Sequence, residues 1–217
     1  MLSGSIENLK KDVISYSFHT QSMIELSVKG LVERNEKLLN EVINEKEPIA
    51  NKKELEIEET CITIIARYDP KAVDLSTVLM AMKINNDLER IADHAVNICE
   101  GSLTLINKPE LKPLIDIPRM AEKATEMLNS AITAFIDENV DLADSVLNED
   151  DVLDKYHYQL TRELLTYMIQ DPSAIERSFL LMKISHDLER IGDLSTNICE
   201  DIIYMVDAKV IKHNSLN

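Results

Sequence analysis

Residues 82–100 read Met-Lys-Ile-Asn-Asn-Asp-Leu-Glu-Arg-Ile-Ala-Asp-His-Ala-Val-Asn-Ile-Cys-Glu, and residues 182–200 read Met-Lys-Ile-Ser-His-Asp-Leu-Glu-Arg-Ile-Gly-Asp-Leu-Ser-Thr-Asn-Ile-Cys-Glu. They align without a gap at an offset of 100, and 13 of the 19 positions are identical. Near-repetition at a fixed offset marks a duplicated architecture. At about 100° per residue, Glu89, Asp93, Asn97 and Glu100 fall within roughly 60° of Asn86 on a helix. Ile84, Leu88, Ile91, Ala95 and Ile98 take the other side. Each copy therefore predicts an amphipathic helix with one acidic and one apolar stripe.

An acidic stripe has a plain reading as the solvated face. The duplication argues otherwise, because exposed positions drift at little cost, yet Glu89/Glu189, Asp93/Asp193, Asn97/Asn197 and Glu100/Glu200 are all identical. Carboxylates one turn apart repel by a few tenths of a kcal/mol. Arg90 and Arg190 offset part of that repulsion, and a bound cation offsets more.

Working outward, the rest of the chain is also helical in pattern. Apolar residues at helical spacing predict helices over about 5–44, 48–67 and 71–106, and again over 118–147, 149–170 and 173–206, with a short tail from Lys209 to Asn217. Pro48 marks a break or a first helical turn. Asp69-Pro70 and Asp171-Pro172 read as a cap followed by a first helical residue. Pro109, Pro113 and Pro118 mark a connector. The expected fold is all-α: two tandem three-helix bundles related by internal duplication, residues 1–108 and 109–217.

The net charge of −16 over 217 residues argues against a nucleic-acid or anionic-membrane binder and favours cations or basic protein patches. Cys61, Cys99 and Cys199 lack C-x-x-C spacing and read as small core residues. With no signal peptide and no apolar run of about 18 residues, the chain is expected to be soluble and cytoplasmic.

One acidic stripe cannot enclose an ion, so a neighbouring helix must add oxygen. In the second half, Asp150 and Asp154 share a helix face and pair with Glu189 and Asp193. In the first half an offset of 103 puts Glu47 and Asn51 at the matching places, beside Glu89 and Asp93. All-oxygen donor sets suit hard cations such as Mg²⁺, Mn²⁺ or ferric iron, and suit zinc less well. The five histidines do not build a site; His157, three residues after Asp154, is at most a peripheral ligand. Glu-x-x-His, the mark of di-iron bundles, is absent.

These motifs resemble the PhoU family of phosphate-transport accessory proteins. Residues 87–94 and 187–194 resemble its Leu-Glu-Arg-Ile-Gly-Asp box, Asn-Ile-Cys-Glu at 197–200 resembles the usual sequel to that box, and Asp150-Asp-Val-Leu-Asp154-Lys-Tyr156 resembles the motif on the paired helix. The resemblance covers nearly the whole chain. It implies two three-helix bundles and multinuclear metal sites of iron or zinc. The ligands would be Glu89, Asp93, Glu189, Asp193, Asp150 and Asp154, with Glu47 more weakly; Asn51 departs from a carboxylate. It also implies negative regulation of phosphate uptake by a homodimeric adaptor between the phosphate ABC transporter ATPase and a sensor histidine kinase. No nucleophile–base pair or Gly-rich phosphate loop is present, so no enzyme is expected; the alternative is a carboxylate-bridged multinuclear metal hydrolase or oxidase.

Overall fold

The computed structural model describes residues 1–207; the tail from Lys209 to Asn217 lies outside them. Among the described residues there is no strand. The α-helices are α1 (Leu2–Val32), α2 (Glu36–Glu41), α3 (Glu47–Tyr68), α4 (Ala72–Leu105), α5 (Asp116–Asp137), α6 (Val140–Leu147), α7 (Asp150–Gln170) and α8 (Ile175–Asp207). A π-helical segment, Val42–Lys46, joins α2 to α3, and a 3₁₀ turn, Pro172–Ala174, leads into α8.

The expected helices 5–44 and 118–147 are each broken. The first stops at Val32 because Arg34 turns left-handed, with φ 52°. The Asn35 amide donates to the Gly30 carbonyl at 2.8 Å and the Arg34 amide to the Leu31 carbonyl at 3.2 Å. This pair of bonds is a Schellman stop. Asn35 then caps α2, its side chain accepting from the Lys37 amide at 3.1 Å. The second half repeats the device: Glu138 has φ 50°, the Asn139 amide donates to the Ala134 carbonyl, and the Asn139 side chain caps the Leu142 amide. Gly30 permits the close return of α2, since a Cβ there would lie 2.6 Å from Leu39 Cδ2.

Pro48 does not break the chain. It lacks an amide to donate, and the preceding turn widens so that the Glu47 amide reaches the Val42 carbonyl, five residues back. Residues 36–68 are therefore one rod. Of the two Asp-Pro pairs, Asp171-Pro172 caps and opens a helical turn as expected and Asp69-Pro70 does not. Asp171 caps the Ser173 amide at 2.9 Å. Asp69 instead ends α3 with φ 47°, and α4 starts later, at Ala72.

α4 packs along α1, α3 and α8, and α8 packs along α5, α6, α7 and α4. α4 and α8 run antiparallel: Lys83 Nζ meets Asp201 Oδ1 at 2.7 Å and His94 Nδ1 meets Asp187 Oδ1 at 2.9 Å. Buried side chains of both halves form one continuous core. Residues 81–92 and 181–192 carry the same order of buried, half-buried and exposed positions, so the duplicated stretch is used in the same way twice. Cys61, Cys99 and Cys199 are buried free thiols, as expected, and burial pushes each up to about 12.

Candidate metal centre at the second acidic corner

Asp150 opens α7 and Asp154 lies one turn later; Glu189 and Asp193 stand one turn apart on α8. α7 comes close to α8 here because residue 192 is glycine. A Cβ on Gly192 would lie 2.5 Å from Leu153 Cδ2, so the missing methyl lets buried Leu153 seat between the two acid pairs. Carboxylate oxygens of Asp150, Asp154 and Asp193 all lie within 4.8 Å of one another. Among the described residues no other set of three or more His, Cys, Asp or Glu does so.

Glu189 belongs to the same electrostatic group. Burial pushes the Asp150 carboxyl up to about 6, helped by the charges of Asp154, Asp193 and Glu189. Burial raises Asp154 as well, again with Glu189. Asp193 is raised by burial and Glu189, while Arg190 pulls it back; Arg190 Nη1 donates to Asp193 Oδ2 at 2.6 Å. Desolvated carboxylates facing one another disfavour their own charge. Asp150 Oδ1 is buried and accepts no hydrogen bond among the described residues, while Glu189 Oε2 faces His186 Nδ1 at 3.1 Å and Arg190 Nε at 3.7 Å. Buried acceptors normally find a donor. Four carboxylates on two helices, one with an orphaned buried oxygen, fit a hard cation held between α7 and α8.

The first corner is assembled differently. Burial raises the Glu89 carboxyl, with help from Asp93 and Glu54. The partner on α3 is thus Glu54, where the sequence pattern pointed to Glu47 and Asn51. Glu47, Glu89 and Asp93 do not gather their oxygens within 4.8 Å, and Asn51 is exposed. The operative offset on these helices is 103, since buried Ala50, Ile57 and Cys61 match buried Leu153, Leu160 and Leu164; Glu47 therefore corresponds to Asp150, Asn51 to Asp154 and Glu54 to His157. Tyr16 of α1 also belongs to this corner, which the sequence pattern did not indicate. It is fully buried, and its hydroxyl lacks a partner among the described residues. Burial and the charges of Glu89, Glu54 and Asp93 push it far above the usual phenol range. No sequence signal linked α1 to this corner.

The histidines are nearer the second corner than their spacing indicated. His186 Nδ1 lies 3.1 Å from Glu189 Oε2. The His157 and His186 rings lie 5.8 Å apart, centre to centre. His157 Nδ1 lies 2.8 Å from Ser185 Oγ, and burial holds the imidazole below its ordinary range. His94 is elsewhere, paired with Asp187 at the α4–α8 contact.

The family model described as "PhoU domain" matches residues 13–101 and again 117–202. The chain belongs to the PhoU family. A "Phosphate-specific transport system accessory protein PhoU homolog 2" of Thermotoga maritima is 35% identical over 212 residues, covering 98% of this chain and 90% of that protein. The PhoU homolog of Aquifex aeolicus is 36% identical over 215 residues, covering 99% and 97%. The crystal structure of PhoU from Pseudomonas aeruginosa superposes with a TM-score of 0.91 at 30% identity, over 96% of this chain and all of that one. A Streptococcus pneumoniae PhoU structure shares the fold, with a TM-score of 0.90. These PhoU proteins are named as accessory and regulatory proteins, not as enzymes.

Proposed function

We propose that this chain is a phosphate-transport accessory protein of the PhoU type. In this reading it restrains phosphate uptake and phosphate-starvation signalling by contacting the phosphate ABC transporter ATPase and a sensor histidine kinase, without catalysis. The observation that carries this is the full-length match to accessory proteins of phosphate-specific transport at 35–36% identity. The net charge of −16 suits docking on basic protein patches. No helix among the described residues is long and apolar enough to cross a membrane. The proposed form is a cytoplasmic homodimer that docks on the transporter.

The proposed role of the acidic corner is structural. A bound cation supplies positive charge between α7 and α8. Asp150, Asp154, Glu189 and Asp193 hold it, and Arg190 keeps Asp193 oriented. The docking face is then fixed by crosslinked helices. The test is a deletion strain assayed for phosphate uptake and for output of the phosphate-responsive kinase, with affinity capture of the transporter ATPase by tagged protein. Raised uptake and recovery of the ATPase are expected. Unchanged uptake with no captured ATPase would overturn the reading.

A further inference from the structure

Descending α7, Asp150, Asp154 and His157 are spaced by four and then three residues. Ascending α8 from the other end, Asp193, Glu189 and His186 have the same spacing. Those steps keep side chains on one helix face. The antiparallel helices thus present three successive pairs: Asp150 with Asp193, Asp154 with Glu189, and His157 with His186. The third pair adjoins the second, since His186 Nδ1 lies 3.1 Å from Glu189 Oε2 and the rings are 5.8 Å apart.

His157 is also prepared as a ligand. The Ser185 hydroxyl donates to the Met182 carbonyl at 2.9 Å. Its oxygen is then left to accept, and His157 Nδ1, 2.8 Å away, must be the protonated nitrogen. That tautomer leaves Nε2 with a free lone pair. Metal-binding histidines are commonly fixed in this way, by a hydrogen bond donated from the other ring nitrogen. The first half has no imidazole pair: Glu54 and Asn86 stand at the equivalent positions.

We propose, building on the reading that the acidic corner holds cations, that His157 and His186 together with Asp154 and Glu189 form a second metal position beside the all-oxygen one. Asp154 and Glu189 are shared between the two. Two imidazoles and two carboxylates select a borderline divalent transition ion such as Zn²⁺ or Co²⁺, whereas the Asp150, Asp154 and Asp193 oxygens suit Mg²⁺ or Mn²⁺. The second half is then a two-ion, two-chemistry site, and the first half is not.

The test titrates the full chain with Co²⁺, Zn²⁺ and Mn²⁺, tracking stoichiometry by calorimetry and the histidine ring protons by NMR. Co²⁺ should displace the His157 and His186 ring signals, and Mn²⁺ should remain bound in the H157Q/H186Q double variant. That variant should lose one equivalent of Zn²⁺ or Co²⁺, or about tenfold or more in affinity. The ring signals need no variant and so test the idea even if the double variant folds poorly. Binding of Zn²⁺ or Co²⁺ with undisturbed ring signals and unchanged affinity in the variant overturns this inference alone. Absence of any binding by the unaltered chain overturns the metal reading on which it rests.

Discussion

The two acidic corners descend from one sequence and have become chemically unlike. Glu89/Glu189 and Asp93/Asp193 are shared, as is a carboxylate on the neighbouring helix, Glu47 or Asp150. Around that common part, the first corner has Asn51, Glu54, Asn86 and the buried phenol of Tyr16, and the second has Asp154, His157 and His186. Even the repeated arginine works differently: Arg190 reaches Asp193 at 2.6 Å, while Arg90 turns to Asp87 at 3.5 Å. The backbone was copied and the donor set was rewritten at a few helix-face positions. Fold identity between repeats therefore says little about equal ligand chemistry.

The largest effect is expected from erasing that difference. Asp154→Asn gives the second corner the residue that the first has at Asn51 and should weaken its cation binding on the order of tenfold to a hundredfold. Asn51→Asp should raise binding by the first corner. Calorimetric titration with Mn²⁺ measures both, and equal affinities before and after would remove the contrast.

The next is a pH effect in metal-free protein. Asp150 is pushed from 3.8 up to about 6 in the folded state, so the native chain holds a proton that the unfolded chain releases between those values. The resulting stabilisation is complete below about pH 4 and is lost as pH rises through about 6. It amounts to about 2 kcal/mol once solvent screening is allowed for. From this group the thermal midpoint should rise on acidification from pH 7 to 5, and the rise should shrink in Asp150→Ala.

Packing gives a third comparison. Gly192→Ala imports the residue found at Ala92 and should destabilise by about 1–2 kcal/mol, because Leu153 must yield. Chemical denaturation would show it, and Leu153→Val in the same chain should recover part. Smaller still, Asn35→Ala and Asn139→Ala should each cost about 1 kcal/mol through loss of a helix cap. Near-equal losses would confirm that the two bends are energetic equivalents.

Much of the fold was legible in sequence because hydrophobic period and exact repetition point the same way. The acid pairs 150/154 and 189/193 were legible for the same reason, since their spacing is a helix-face spacing. The bends at Arg34 and Glu138 were not, because both stops use ordinary residues in a left-handed conformation that usually calls for glycine. Their trace in sequence was the pair Asn35 and Asn139, which cap the next helix. Pro48 lies in the first turn of α3, one of the two readings its position offered, and the π-helical turn before it keeps the rod continuous. The register on α3 was legible as well: the spacings from Asn35 to Glu47 and from Asn139 to Asp150 differ only by the residue that the π-helical turn inserts, and buried Ala50 and Ile57 match buried Leu153 and Leu160. Tyr16 and the His157–His186 pair were invisible for a plainer reason. They depend on which helices become neighbours, and periodicity within one helix carries no such information.

α4 and α8 bury their apolar sides against each other, as well as against their own bundles. Opening one half would expose the flank of the other to water. Heating should therefore give one cooperative transition for the whole chain, with no stage at which a single repeat survives alone.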